Sequence, residues 1–125
     1  MDKRKCLLVV DDDQTTLELF KMIFAGNDFE VITAASGEEA IHQYVLHKGQ
    51  IKVGLIDLLL PEMNGLEVID KIREDLKIVG DEIFFVVVTA DLLSHMYLRA
   101  KSEHVVIDKP FEMKLLKNLV LRHMC

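Results

Sequence analysis

Asp11, Asp12 and Asp13 close the apolar run Cys6-Leu7-Leu8-Val9-Val10, and Asp57 closes Val53-Gly54-Leu55-Ile56. Thr89 follows the run Ile83 to Val88, and Lys109, with Pro110 behind it, follows Val105-Val106-Ile107. Carboxylates that converge repel one another unless a cation or a proton comes between them. Oxygen-only donors select a hard ion, and Mg²⁺ is typically held by one or two carboxylates with waters and phosphate oxygens. Such an ion beside a carboxylate nucleophile, with a hydroxyl and a lysine at hand, suits phosphoryl transfer onto an aspartate. Metal and lysine offset the charge of the transferring group, and the carboxylate forms an acyl phosphate. Mg²⁺ is therefore the expected cofactor, with Mn²⁺ as a substitute.

For these residues to meet, the runs that carry them must lie side by side. Between the runs the spacing turns helical. Leu17, Phe20, Ile23 and Phe24 share one helical face, stopped by Gly26-Asn27-Asp28. Glu30 to Ala34 reads as a second strand, and Ser36 with Glu39 as a capping box opening a helix with Ala40, Ile41, Tyr44 and Val45 inward. A loop over 58–65, marked by Pro61 and Asn64-Gly65, precedes a helix carrying Leu66, Ile69, Ile72 and Leu76. A short helix over 92–101 and a last one with Leu116, Leu119, Val120 and His123 inward complete the pattern. Strand and helix thus alternate five times, which implies an α/β fold with a parallel sheet and right-handed crossovers. In such a sheet ligands bind outside the carboxyl ends of the strands, where the acids, Thr89 and Lys109 stand.

The chain has 125 residues, which predicts one domain over 1–125. Its 15 basic and 21 acidic residues leave a formal charge of −6, against a nucleic-acid surface. Two cysteines build no disulfide framework, so Cys6 and Cys125 are expected to be free thiols. No run approaches the roughly 20 apolar residues of a membrane span, and the apolar stretch after the basic start Met1 to Lys5 stops at Asp11, too soon for a signal peptide. A cytoplasmic protein without membrane partners is the expectation.

The motifs Val-Val-Asp11-Asp12, Asp57-Leu-Leu-Leu-Pro61-Glu-Met-Asn-Gly65, Val-Val-Thr89-Ala90 and Asp-Lys109-Pro110-Phe111 resemble the receiver (CheY-like) domain of bacterial two-component response regulators. The resemblance covers essentially the whole chain. It implies a flavodoxin-like, doubly wound (βα)5 fold with strand order 2-1-3-4-5. It implies Asp57 as phosphoacceptor, with Mg²⁺ on the Asp12 and Asp57 side chains, on the Leu59 backbone carbonyl, and on Asp11 through water. Thr89 and Lys109 would contact the phosphoryl group, and the Lys109–Pro110 bond would be cis. The implied partners are a sensor histidine kinase or phosphotransfer protein, and a downstream protein on the surface of the fourth helix, fifth strand and fifth helix. The implied state is a monomer or a phosphorylation-dependent homodimer. Such a domain is no enzyme beyond its own phosphorylation and dephosphorylation, and no output domain is expected after Phe111.

This sequence departs from the family at two positions. The family often carries a swinging aromatic residue three before the lysine. Here that position is Val106, which bears on the switch and leaves the phosphorylation chemistry untouched. Leu59, two after the acceptor, has no polar group to orient an attacking water, so slow self-dephosphorylation is expected.

Blander roles are assigned elsewhere. Asp13 is expected to cap the first helix, and Gly65 to supply a turn conformation rather than a phosphate cradle. His42, His47, His95, His104 and His123 lack metal-ligand spacing. Leu93, Met96 and Tyr97 are read as packing rather than a partner surface. Three other functions compete with this one. Asp11-x-Asp13-x-Thr15 also resembles the haloacid-dehalogenase phosphatases, with Asp11 as nucleophile, but that family needs a further acidic pair after the lysine and gives no role to Asp57. A pseudo-receiver that binds without turning over phosphate is opposed by the complete acid, threonine and lysine set. Flavin binding is weaker still, because the first strand-helix turn is acidic where a flavin phosphate would need Ser, Thr or Gly.

Overall fold

The acid-tipped apolar runs form the interior of a parallel sheet. A computed structural model describes residues 4–124; the free thiol expected at Cys125 and the basic start before Arg4 lie outside the described residues. The elements in chain order are β1 (Cys6–Val10), α1 (Gln14–Ile23), β2 (Glu30–Ala34), α2 (Gly37–Leu46), β3 (Ile51–Asp57), α3 (Gly65–Val79), β4 (Phe84–Thr89), α4 (His95–Glu103), β5 (Val105–Asp108) and α5 (Met113–Met124). The strand order is β2-β1-β3-β4-β5, all parallel, the flavodoxin-like topology. β1 is buried along its whole length, and β3 and β4 nearly so, which is why they read as unbroken apolar runs.

The period-two alternation of strand side chains divides the core into two layers. Leu8, Val10, Ile56 and Val87 face a layer with Ala40 and Tyr44 of α2, Leu66, Ile69 and Ile72 of α3, and Tyr97 of α4. Leu7, Val9, Leu55 and Val86 face the other layer, with Leu17 and Phe20 of α1 and Leu116 and Val120 of α5. Each fully buried side chain of this size contributes about 1.5–3 kcal/mol of transfer free energy. Together they hold the carboxyl ends of β1, β3, β4 and β5 at one edge.

Asp13 caps α1 as expected, accepting from the Thr15 N–H at 3.1 Å. Ser36 accepts from the Glu39 N–H at 3.1 Å, half of the expected capping box. Both halves occur at α3, where Asn64 and Glu67 exchange bonds. Four readings need correction. α4 begins at His95 rather than Leu92, because Ser94 caps it and the preceding segment turns on Asp91. Leu93 is 97 % exposed and packs nothing, while Tyr97 is buried. Val45 is exposed, since α2 settles on Ala40 and Tyr44.

Gly65 is the fourth correction. It is the first residue of α3, and its backbone is not left-handed; among the described glycines Gly26, Gly49 and Gly80 are. Its role is close approach. Its N–H donates to the Leu58 carbonyl at 2.8 Å, and a Cβ there would drive into the Asp57 carbonyl. The missing side chain lets α3 sit directly beneath Asp57.

Candidate functional site

Asp11, Asp57 and Thr89 are the buried polar side chains of the described residues, at 4 %, 8 % and 0 % exposure. All three stand at the carboxyl edge of the sheet. β1 delivers Asp11 one residue past its end, β3 delivers Asp57 as its last residue, and β4 delivers Thr89 as its last. Lys109 follows β5 and precedes a cis bond to Pro110, as expected.

The Lys109 ammonium donates to both acids, 2.9 Å to Asp11 Oδ2 and 3.1 Å to Asp57 Oδ2. The remaining oxygens hold backbone donors. Asp11 Oδ1 accepts from the Asp13 N–H at 2.9 Å, and Asp57 Oδ1 accepts from the Leu59 N–H at 3.1 Å. Asp12, exposed at the rim, completes a trio in which one carboxylate oxygen from each of Asp11, Asp12 and Asp57 lies within 4.8 Å of the others. Among the described residues no other group of His, Cys, Asp and Glu meets that spacing, and none of the histidines joins it.

Burial pushes the Asp57 carboxyl above the usual aspartate range; Lys109 opposes this and Asp11 adds to it. Burial works against the Lys109 ammonium, yet its bond to Asp11 and the charges of Asp57 and Asp11 outweigh that and raise its pKa. One cation therefore serves two acids of a crowded set, leaving an excess of negative charge. A divalent cation fits this donor set: three hard oxygens, one at the rim, in reach of one another.

Thr89 Oγ1 accepts from the Asp91 N–H at 3.0 Å, and the Thr89 carbonyl accepts from the Lys109 N–H at 2.8 Å. Its hydroxyl proton is thus available to a further acceptor, and its backbone is tied to the lysine. Leu59 lies half exposed on the loop over 58–64, where Glu62 adopts a left-handed backbone at φ 64°. No local sequence pattern announced that conformation. One side chain escaped the sequence reading as a site neighbour. Tyr97 donates its hydroxyl to Asp108, the residue before Lys109. The aromatic spacing of α4 signalled only packing.

The comparisons agree with the geometry. The family model for the response regulator receiver domain matches residues 7–121. The alkaline phosphatase synthesis transcriptional regulatory protein PhoP of Bacillus subtilis is 34 % identical over 70 residues, 56 % of this chain and 28 % of that protein. The match thus spans little more than a quarter of that regulator's length. Among solved structures, a CheY-like receiver domain protein from Methanospirillum hungatei superposes with a TM-score of 0.80 at 23 % identity, covering 98 % of this chain and 94 % of that one. The response regulator TrrA from Thermotoga maritima, solved in complex with Mg²⁺ and BeF, gives a TM-score of 0.77 at 29 % identity, covering 94 % and 97 %. With four strand-end motifs converging on one edge and a family model spanning nearly every residue, the chain belongs to the response regulator receiver domains of two-component systems.

Proposed function

We propose that Asp57 accepts a phosphoryl group, in a Mg²⁺-dependent reaction, from the phosphohistidine of a sensor histidine kinase or phosphotransfer protein. The observation that carries this reading is the Lys109 ammonium bridging buried Asp11 and Asp57, with Asp12 in reach of both. An Asp57 oxygen bonds to phosphorus as the phosphorus–nitrogen bond to the donor imidazole breaks, and the imidazole keeps that electron pair. Asp57 must be anionic to attack; Lys109 favours that form against the cost of burial. Asp12, Asp57 and the Leu59 carbonyl would hold Mg²⁺ directly, with Asp11 doing so through water. When bound, the ion offsets the negative charge that gathers on the transferring oxygens. Lys109 then turns from the carboxylates to a phosphoryl oxygen, and Thr89 donates its hydroxyl to another.

The reading extends to an effect on partners. The phosphoryl group draws on Thr89 and Lys109, and the surface of α4, β5 and α5 is repopulated toward a form that a downstream protein binds. Leu59 presents no polar group to an attacking water, so Asp57 loses its phosphoryl group slowly. The chain turns over no other substrate and acts in the cytoplasm, as a monomer or as a homodimer formed on phosphorylation. Among the described residues no helix is long and apolar enough to cross a membrane, and a formal charge of −6 opposes direct nucleic-acid contact.

Incubation with acetyl phosphate and Mg²⁺, read by intact mass, tests the reading. The wild-type chain gains one phosphoryl group and Asp57→Asn gains none. Turnover of p-nitrophenyl phosphate that survives Asp57→Asn but is lost in Asp11→Asn would instead support a phosphatase.

A further inference from the structure

Tyr97 and Asp108 take no part in the chemistry above, yet they join the phosphoryl-accepting edge to α4. Tyr97 is buried in the core layer shared by α2, α3 and α4. Its hydroxyl donates to Asp108, 3.1 Å to Oδ1 and 3.4 Å to Oδ2. Asp108 ends β5, pairs with Thr89 in the β4–β5 register and directly precedes Lys109. The Lys109 N–H in turn donates to the Thr89 carbonyl at 2.8 Å. One side-chain bond therefore ties a core residue of α4 to Asp108, whose chain neighbour Lys109 is hydrogen-bonded to the Thr89 backbone on the adjacent strand.

The neighbouring position on β5 makes this bond matter. Val106 packs against the same core layer as Tyr97 and has no ring to swing. A hydrogen bond to a carboxylate is stronger than one between neutral groups, and Tyr97 is further held by the Lys101 ammonium, 5.4 Å from its ring centroid. Tyr97 thus has one restraint within α4 and one, the bond to Asp108, that depends on where β5 and α4 lie relative to each other.

We propose that the Tyr97–Asp108 hydrogen bond transmits the state of the Thr89 and Lys109 pair to α4, in place of an aromatic side chain on β5. The inference rests on phosphorylation of Asp57 as read above. When Thr89 and Lys109 turn toward a phosphoryl group, Asp108, which precedes Lys109 and pairs with Thr89, follows, and the bond to Tyr97 is made better in one state than in the other. That difference biases α4, since only differential contacts shift a two-state equilibrium. Tyr97 touches no reacting atom and is a positioning residue.

Amide hydrogen exchange across residues 95–103, with and without acetyl phosphate in Mg²⁺, tests the coupling. The samples are the wild-type chain, Tyr97→Phe, Asp108→Ala and the double variant, each checked by intact mass. All four are expected to gain the phosphoryl group. The phosphorylation-dependent change in α4 exchange shrinks by about 5-fold or more in each single variant, and no further in the double variant. A phosphorylated Tyr97→Phe chain whose α4 responds as fully as wild type overturns the coupling alone. So does a phosphorylated wild-type chain whose α4 does not respond. A wild-type chain that gains no phosphoryl mass overturns the phosphoacceptor reading and the coupling with it.

Discussion

The carboxyl edge of the sheet and the α4–β5–α5 face are built to different tolerances. At the edge, Asp11, Asp57 and Thr89 are buried, and each polar atom described there has a named partner within 3.1 Å. On the face, Leu93, Leu98 and Leu115 are exposed, and the inward position on β5 is a valine. Groups that crowd charge in a buried site must meet a narrow geometry or pay several kcal/mol. On the proposed reading the face signals to a partner, which needs only two arrangements of similar free energy, and more than one side chain can supply the difference. The edge therefore reads as family chemistry, while the face departs from it.

The largest effect on folding is expected beneath the edge. Gly65→Ala puts a Cβ into the Asp57 carbonyl and should lower unfolding free energy by about 3 kcal/mol, measured by urea titration. A loss under about 0.5 kcal/mol would show that α3 retreats freely. Next comes the metal. At Mg²⁺ one hundred times its Kd, the wild-type chain should gain about 2.7 kcal/mol. Asp12→Ala, which removes an exposed carboxylate of the trio without disturbing the Lys109 pairs, should gain far less at the same concentration. Equal gains in both chains would place the ion elsewhere.

A pH series in chelator separates two acids of opposite sign. Burial raises the folded-state pKa of Asp57 above its ordinary 3.8, so the folded chain holds that proton more tightly than the unfolded chain. Its charge is a cost above the raised pKa, and the cost is relieved as pH falls toward the ordinary value. Asp75 behaves the other way: the Tyr44 hydroxyl and Lys48 hold its carboxyl low. Its contribution is present above the ordinary pKa and is lost as pH falls through the folded value. Asp57→Asn should therefore raise metal-free stability at neutral pH and remove the gain on mild acidification, as read by thermal melts. A variant less stable than wild type at neutral pH would mean that Lys109 more than offsets the burial. The smallest effect belongs to the face: Leu93→Ser should change stability by under about 0.5 kcal/mol and leave phosphoryl uptake intact.

Much of the edge was legible in the residues because each chemical group closes an apolar run. β1 and β2 begin and end where the sequence places them, and the strand order follows from right-handed crossovers joined to the family resemblance. What stayed hidden depends on contacts between distant segments. The need for glycine at 65 comes from the Asp57 backbone, eight residues earlier and across a loop, and not from a turn dihedral. α4 starts at His95 rather than Leu92 because Ser94 and Asp91 supply the hydrogen bonds of a cap and a turn, which apolar spacing does not register. The Tyr97–Asp108 bond spans two elements and leaves no periodic trace.

The most direct measurement asks which carboxylate carries phosphorus. After acetyl phosphate and Mg²⁺, borohydride reduces an aspartyl phosphate to homoserine, and peptide sequencing by mass spectrometry locates it. Homoserine at position 57 alone is the predicted result; homoserine at position 11 or 12, with position 57 unchanged, would contradict the assignment of Asp57 as the acceptor.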